Sequence, residues 1–590
     1  MLRCINGSIK GCEKLIKLIR FLRPYKKQCI VGPLFKLFEA ILELLLPTVM
    51  ALVINNGVIN SDKSYVLKMG GLMLFMAVLG FCSSMVCQTY ACYASQGVGT
   101  DLRNTLFKHI SELSYKEIDE FGPESLINRV TNDVNQLQWT VAMLIRLVVR
   151  APFIWIGAIT MAIILDFKLS LILIGTTPFF AIILYIYITK SSPIYKKYQS
   201  QLDKISLRVR ENLGGVRVIR AFGGTKFEEE RFKEKNDELT EIGIKLARFS
   251  AILNPMTSLI MNFSIIILLW VGGVHINAGY LNAGTIIAFI NYVTQVLYAS
   301  IVLSNLIVLF TKAQASAVRV NEVLETTSSI KEKETTEVLK DSGNYKIQFK
   351  NVFFSYNETG DNALQNINIS IKRGETIGII GGTGSGKTTF ISLIGRFYDA
   401  SSGQILIDGI DIKDYALKDL RSKISIVAQK IELFTGTIKE NLLWAKKDAS
   451  DTEIIKAAKT AEAYEFISKL KNGFETAVER GGNNFSGGQK QRLTIARAIL
   501  KDPDIFILDD SSSALDFQTD TNLRRNIKEN SIDMTVIIVS QRATSIKDCD
   551  KIIVFDDGNI ASVGKHEELI EICDIYKEIY NSQNPSKGAM

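Results

Sequence analysis

From Phe249 to Thr311 the chain carries no Asp, Glu, Lys or Arg, a run long enough to cross a bilayer twice with a turn around Asn277–Gly284. A membrane span needs about 20 apolar residues, and six segments qualify by length and absence of charge. They lie near residues 30–56, 65–91, 138–165, 168–190, 250–275 and 283–310. The intervals 92–137 and 191–249 are charged, lack linker composition and keep helical apolar spacing, so the spans are expected to continue as helices beyond the bilayer. Two antiparallel helices of roughly 23 residues per interval would carry each tip about 35 Å from the membrane. Tyr115–Gly122 (YKEIDEFG) and Gly214–Phe222 (GGVRVIRAF) fall where those tips belong. Beyond the charged, Thr/Ser-containing stretch Thr326–Asn344, the pattern becomes that of a soluble mixed α/β domain.

Composition agrees with two dissimilar halves. At 590 residues, with 22% charged residues and a mean hydropathy of +0.15, the chain is too apolar for a soluble protein and too charged for a purely membrane one. Its net charge of +8 suits basic cytoplasmic loops, and no nucleic-acid partner is expected. The first 27 residues hold Arg3, Lys10, Lys14, Lys17, Arg20, Arg23, Lys26 and Lys27 without the apolar core of a signal peptide. They read as an amphipathic helix on the inner membrane surface, and an even number of spans then places both termini in the cytoplasm. The eight cysteines lack metal-ligand spacing. Lys36, Glu39 and Glu43 share a face of the first span, and Arg146 and Arg150 stack on the third. Such charges form either internal ion pairs or a polar substrate path.

The chemistry lies in the second half. Gly381, Gly382, Thr383, Gly384, Ser385, Gly386, Lys387 and Thr388 form a complete phosphate loop between the apolar strand Thr376–Ile380 and a helical run opening at Thr389. Glycines let backbone N–H groups converge on phosphates, Lys387 brings a charge to the β- and γ-phosphates, and the Thr388 hydroxyl can ligate Mg²⁺. A second apolar strand, Ile505–Leu508, runs into Asp509, where a carboxylate organises that ion. Ser486, Gly487, Gly488 and Gln489 precede another helix.

Taken together these elements resemble an ATP-binding cassette (ABC) exporter half-transporter of the multidrug type, over essentially the whole chain. FSGGQ, containing Ser486–Gln489, matches the family signature, and Gln429 in VAQ matches the Q-loop glutamine. Tyr356 matches the aromatic that stacks on adenine, and Ser513–Asp516 matches the D-loop. EFGPESLINRVTNDV and ENLGGVRVIRAFG resemble the two cytoplasmic loops, whose tips would be coupling helices. The resemblance implies a six-helix transmembrane domain of the type IV exporter fold fused to an α/β P-loop ATPase. It divides the chain into an elbow helix (1–28), the membrane domain (29–325), a linker (326–344), the nucleotide domain (345–582) and a tail (583–590). ATP and Mg²⁺ are the implied cofactors, with Thr388, Gln429 and Asp509 toward the metal and Thr389 also toward the nucleotide. In this family each ATP lies between the phosphate loop of one chain and the signature motif of another, so a partner half-transporter is implied.

At two positions the sequence departs from the pattern. The family's catalytic Glu after the strand aspartate is Asp510, one methylene shorter, and the switch-loop His is Gln541, which cannot become cationic. Misplacing a general base costs typically about 10²–10⁴ in rate. Lys387, Asp510 and Gln541 are the candidate catalytic residues, in a site expected to be degenerate, while the signature motif is intact for a partner's ATP. The expectation is therefore a heterodimeric exporter of small amphipathic compounds in a bacterial plasma membrane. A homodimer exporting lipid or peptide, or a nucleotide-gated regulatory subunit, would use the same parts.

Overall fold

The computed structural model describes residues 14–331, 344–356, 360–511, 515–530 and 533–583. Most of the linker, the first half of the elbow helix, and Ser513 and Ala514 of the D-loop lie outside the described residues. The chain forms two compact units.

The first unit comprises 1–111 and 123–326 and holds six helices long and apolar enough to cross a membrane. They are α1 (Lys14–Val58), α2 (Lys63–Glu112), α4 (Pro123–Leu165), α5 (Phe167–Gly214), α7 (Thr225–Asn277) and α8 (Ala283–Glu325). Two short helices punctuate them: α3 (Tyr115–Phe121) follows α2, and α6 (Val216–Ala221) follows α5. At 50 residues, α2 is about 75 Å long, over twice the hydrocarbon thickness. Asp166 breaks the chain between α4 and α5 and caps the latter, its side chain accepting the Leu169 N–H at 2.8 Å.

Small residues bring these helices together. Ala51, Ala158, Ala162 and Ala288 pack with Leu44, Leu268, Phe289 and Tyr292 in a buried cluster. The Tyr292 hydroxyl donates to the Leu44 carbonyl at 2.8 Å and lies 2.8 Å from Thr48 Oγ1, so this buried polar group is satisfied without water. Outward positions such as Leu67, Leu74, Phe81 and Trp270 are exposed and apolar, as lipid contact requires.

Four of the five charges singled out inside the spans pair. Lys36 Nζ donates to Glu39 at 2.6 Å and to Ser84 Oγ at 3.2 Å, and Arg150 meets Glu43 at 2.7 Å. Arg146 lies in a widened, π-type turn, Leu144–Val148, and its Nε is buried without a hydrogen-bond partner.

The second unit, 112–122 with 327–590, takes in α3, the first of the two tips that the resemblance implies are coupling helices. Ser114 and Glu117 form its capping box and Gly122, at φ +75°, ends it. Tyr115 packs on Phe397 with ring centroids 4.8 Å apart, Tyr398 donates to Asp119 at 2.7 Å, and Glu117 accepts the Ser329 N–H at 3.1 Å.

This unit is built on two main sheets. The smaller comprises β1 (Tyr345–Phe354), β2 (Leu364–Lys372), β4 (Ser402–Ile407) and β5 (Ile410–Asp411), in the antiparallel order β2-β1-β4-β5. The larger follows the order β12-β11-β3-β10-β9-β6, with β3 (Thr376–Gly381), β6 (Ile424–Val427), β9 (Ile505–Asp509), β10 (Thr535–Val539), β11 (Lys551–Asp556) and β12 (Asn559–Gly564). Gly436–Thr437 (β7) and Ala477–Val478 (β8) form a short ribbon. Pairing from β6 to β11 is parallel, and the central strands β9 and β10 are buried throughout. Their C-terminal ends therefore converge on one edge, where open α/β sheets bind ligands.

Candidate ATP site

The phosphate loop leaves β3 at Gly381 and enters α9 (Lys387–Ile394). Its turn needs glycine: Gly386 sits at φ +100°, and a Cβ there would come within 2.7 Å of Leu364 Cδ2 and 2.9 Å of the Ala363 carbonyl. Lys387 folds back over the loop, its Nζ donating to the carbonyls of Gly381 at 2.9 Å and Gly382 at 2.5 Å and to Ser385 Oγ at 3.3 Å. Burial lowers its pKa from the ordinary lysine value, against the opposing charges of Asp509 and Asp510.

Asp509 ends β9 beside this loop and is 5% exposed. Thr388 Oγ1 donates to its Oδ2 at 3.4 Å. Burial first, then the neighbouring Asp510 charge, push its carboxyl up to about 6, despite the Thr388 bond and Lys387. A buried carboxylate so short of positive charge, facing a threonine hydroxyl, has the hard oxygen chemistry that Mg²⁺ takes alongside nucleotide phosphates. No group of three or more His, Cys, Asp or Glu able to hold a metal occurs among the described residues.

Asp510 adopts φ +46°, a left-handed conformation that aspartate tolerates better than most residues, and its N–H is held by the Val539 carbonyl at 2.9 Å. One oxygen, Oδ2, faces two amides: Gln429 Nε2 at 3.3 Å and Gln541 Nε2 at 3.5 Å. The structure thus gathers Lys387, Thr388, Gln429, Asp509, Asp510 and Gln541. Tyr356 is 46% exposed, its hydroxyl 3.0 Å from Thr389 Oγ1 and its ring edge-on to Tyr398, at the rim of the loop.

The signature segment stands apart in its bonding. Ser486 caps α10 (Gly487–Leu500), with the Ser486 N–H donating to Gln489 Oε1 at 2.9 Å and the Gln489 N–H to Ser486 Oγ at 3.4 Å. Its N-terminal N–H groups are those a helix offers to an anion. Sequence reasoning missed Gln583, read as the first residue of a tail. It ends a helix in the structure and bonds the backbone at Gln541, a contact between residues 42 apart that no local motif signals.

Comparison with known proteins agrees with this geometry. Residues 29–300 match the family model of the ABC transporter transmembrane region and residues 364–513 that of the ABC transporter. An uncharacterized ABC transporter ATP-binding protein of Bacillus subtilis, YfiB, is 37% identical over 97% of this chain and 99% of its own length. YgaD of the same organism, a putative multidrug export ATP-binding/permease protein, is 32% identical over 96% and 99%. The ATP-dependent lipid A-core flippase of Pasteurella multocida is 29% identical over 98% and 99%. Among solved structures, a bacterial Atm1-family ABC exporter with ATP bound aligns with a TM-score of 0.79 at 22% identity, covering 96% of this chain and 99% of that one. The chain belongs to the ABC transporters, with a six-helix transmembrane domain and an α/β transport ATPase fused in one polypeptide.

Proposed function

We propose that this chain is one half of a heterodimeric exporter of amphipathic compounds in a bacterial plasma membrane. It contributes a degenerate ATP site on its own phosphate loop and an intact signature motif to the partner's site. The observation that carries this reading is the environment of Asp510. Its short carboxylate faces two amides, Gln429 and Gln541, and no imidazole stands in the switch loop. An amide can orient the carboxylate but cannot supply a positive charge. With both departures on the phosphate-loop side and Ser486–Gln489 unaltered, slow hydrolysis at one site and competence at the other go together.

Lys387 and the loop N–H groups would bind the phosphates and Tyr356 the base, while Thr388, Asp509 and Gln429 would hold Mg²⁺, whose charge neutralises the β- and γ-phosphates when bound. Binding closes the site against a partner's signature motif, and the short helices α3 and α6 are the elements suited to transmit that closure.

Native mass spectrometry of the tagged chain purified from its own cells tests the assembly. A dimer with a second, different half-transporter is expected, and a dimer of this chain alone would overturn the heterodimer. Restoring the site with Asp510→Glu and Gln541→His should raise ATP turnover of the assembled complex; unchanged turnover would refute the account of the defect. Lipid export by a homodimer is the second reading, favoured by relatives named as lipid A-core flippases.

A further inference from the structure

The last described residue reaches the ATP site. Gln583 ends α12 (Asp574–Gln583), which follows α11 (His566–Ile572), and its side-chain amide bonds the switch loop twice. Nε2 donates to the Gln541 carbonyl at 2.6 Å, and Oε1 accepts the Ala543 N–H at 2.8 Å. One planar amide bound to two backbone groups two residues apart fixes the orientation of the peptide between them, which a single bond would leave free to rotate.

Both ends of the arrangement are anchored. On the N-terminal side of the loop, the Ser540 N–H donates to the Ile379 carbonyl of β3 at 3.1 Å, and Ser540 Oγ accepts the Arg542 N–H at 3.0 Å. Ala543 is fully buried. Helix α12 is itself pinned by Tyr576, fully buried, whose hydroxyl lies 2.7 Å from His566 Nδ1. The loop thus hangs between β3 and the end of α12, and in that posture the Gln541 side chain comes within 3.5 Å of Asp510. Gln541 is exposed and is unsupported by packing of its own, so the backbone on either side decides where its amide points.

We infer that Gln583 is a positioning residue for ATP hydrolysis: its amide sets the backbone of residues 541–543 so that the Gln541 side chain faces Asp510. This rests on reading Gln541 as the switch-loop residue. It gives Gln583, read in sequence as the first residue of a tail, a part in the reaction without contact to the nucleotide.

The test uses the assembled transporter in nanodiscs, as wild type and as Gln583→Ala, Gln583→Glu, Gln541→Ala and the Gln541→Ala, Gln583→Ala pair. Loss of the clamp should speed amide exchange at Ala543 by about tenfold or more, with β10 unchanged. With Gly487→Glu in the same chain silencing the partner's site, single-turnover hydrolysis at this chain's own site should fall by about 3- to 10-fold, with the Kd for ATP moving less than twofold, because geometry and not affinity is lost. Gln583→Glu retains an acceptor for Ala543 but sets a carboxylate against the Gln541 carbonyl, so this hydrolysis should fall while α12 keeps its protection. On the Gln541→Ala background, Gln583→Ala should add nothing. Unchanged exchange, faster exchange with unchanged hydrolysis, or an equal fall on the Gln541→Ala background would each overturn the inference. If Gln541→Ala alone leaves hydrolysis untouched while Gln583→Ala lowers it, the reading of Gln541 fails instead.

Discussion

Asp510 shows how one methylene and one dihedral angle act together. Its left-handed backbone suits aspartate, and its carboxylate is engaged by amides on two sides. In Asp510→Glu the longer side chain would extend the carboxylate by about 1.5 Å from a backbone that glutamate adopts less readily. The gain in turnover from restoring the pair should therefore fall below the 10²–10⁴ of an ideally placed base, at roughly 10- to 100-fold for this site in single-turnover assays. Gly386 makes the opposite case. Gly386→Ala would place a methyl against Leu364 and the Ala363 carbonyl at φ +100°, so a loss of about 1–3 kcal/mol in stability is expected together with loss of nucleotide binding, read by thermal melting with and without ATP.

At the scale of elements, α3 and the α1–α4 pair carry separate predictions. Burial pushes the Glu117 carboxyl up, but hydrogen bonds from Ser114 and Ser329 outweigh it and leave the pKa below the ordinary glutamate value. A carboxylate depressed on folding contributes stability above its unfolded pKa of about 4.3, and that contribution is lost as pH falls through the lower folded value. Glu117→Gln should thus lower stability by about 1 kcal/mol at pH 7, and the gap from wild type should close below about pH 4, followed by melting temperature across that range. In the membrane unit, Glu43→Gln would leave Arg150 without its counter-ion. The expected cost is about 1–3 kcal/mol, less than for a sealed pair because these side chains are 25% and 36% exposed. Exchanging the charges, Glu43→Arg with Arg150→Glu, should recover most of it in a double-mutant cycle on the melting temperature.

For the whole molecule the asymmetry of the two half-sites is the quantity to measure. If this chain supplies the signature motif of a partner's competent site, Gly487→Glu should remove more than about nine-tenths of the complex's ATP turnover. Asp510→Asn, acting at the slow site, should change turnover by less than about twofold. In a homodimer both substitutions would strike every site and both would be severe, so steady-state ATPase on the two variants separates the assemblies.

The sequence by itself determined what is local or periodic. Charge-free stretches announce spans because a bilayer excludes charge, and the glycine spacing of 381–388 announces a phosphate loop because few backbones let N–H groups converge. Asp509 was legible from the apolar strand that runs into it, and Asp510, Gln429 and Gln541 through resemblance to a family, although nothing within their own segments shows that they meet. Tertiary structure alone decided the rest: that Glu43 answers Arg150, 107 residues away, and that Gln429 reaches Asp510 across 81. Gln583 is the sharpest case, since a helix-end glutamine has no local signature and its meaning comes only from the fold that carries it to Gln541 and Ala543. Local patterns record the solvent and backbone demands of each residue's own segment, whereas the pairing of distant polar groups is settled only when packing brings them within the short reach of a hydrogen bond.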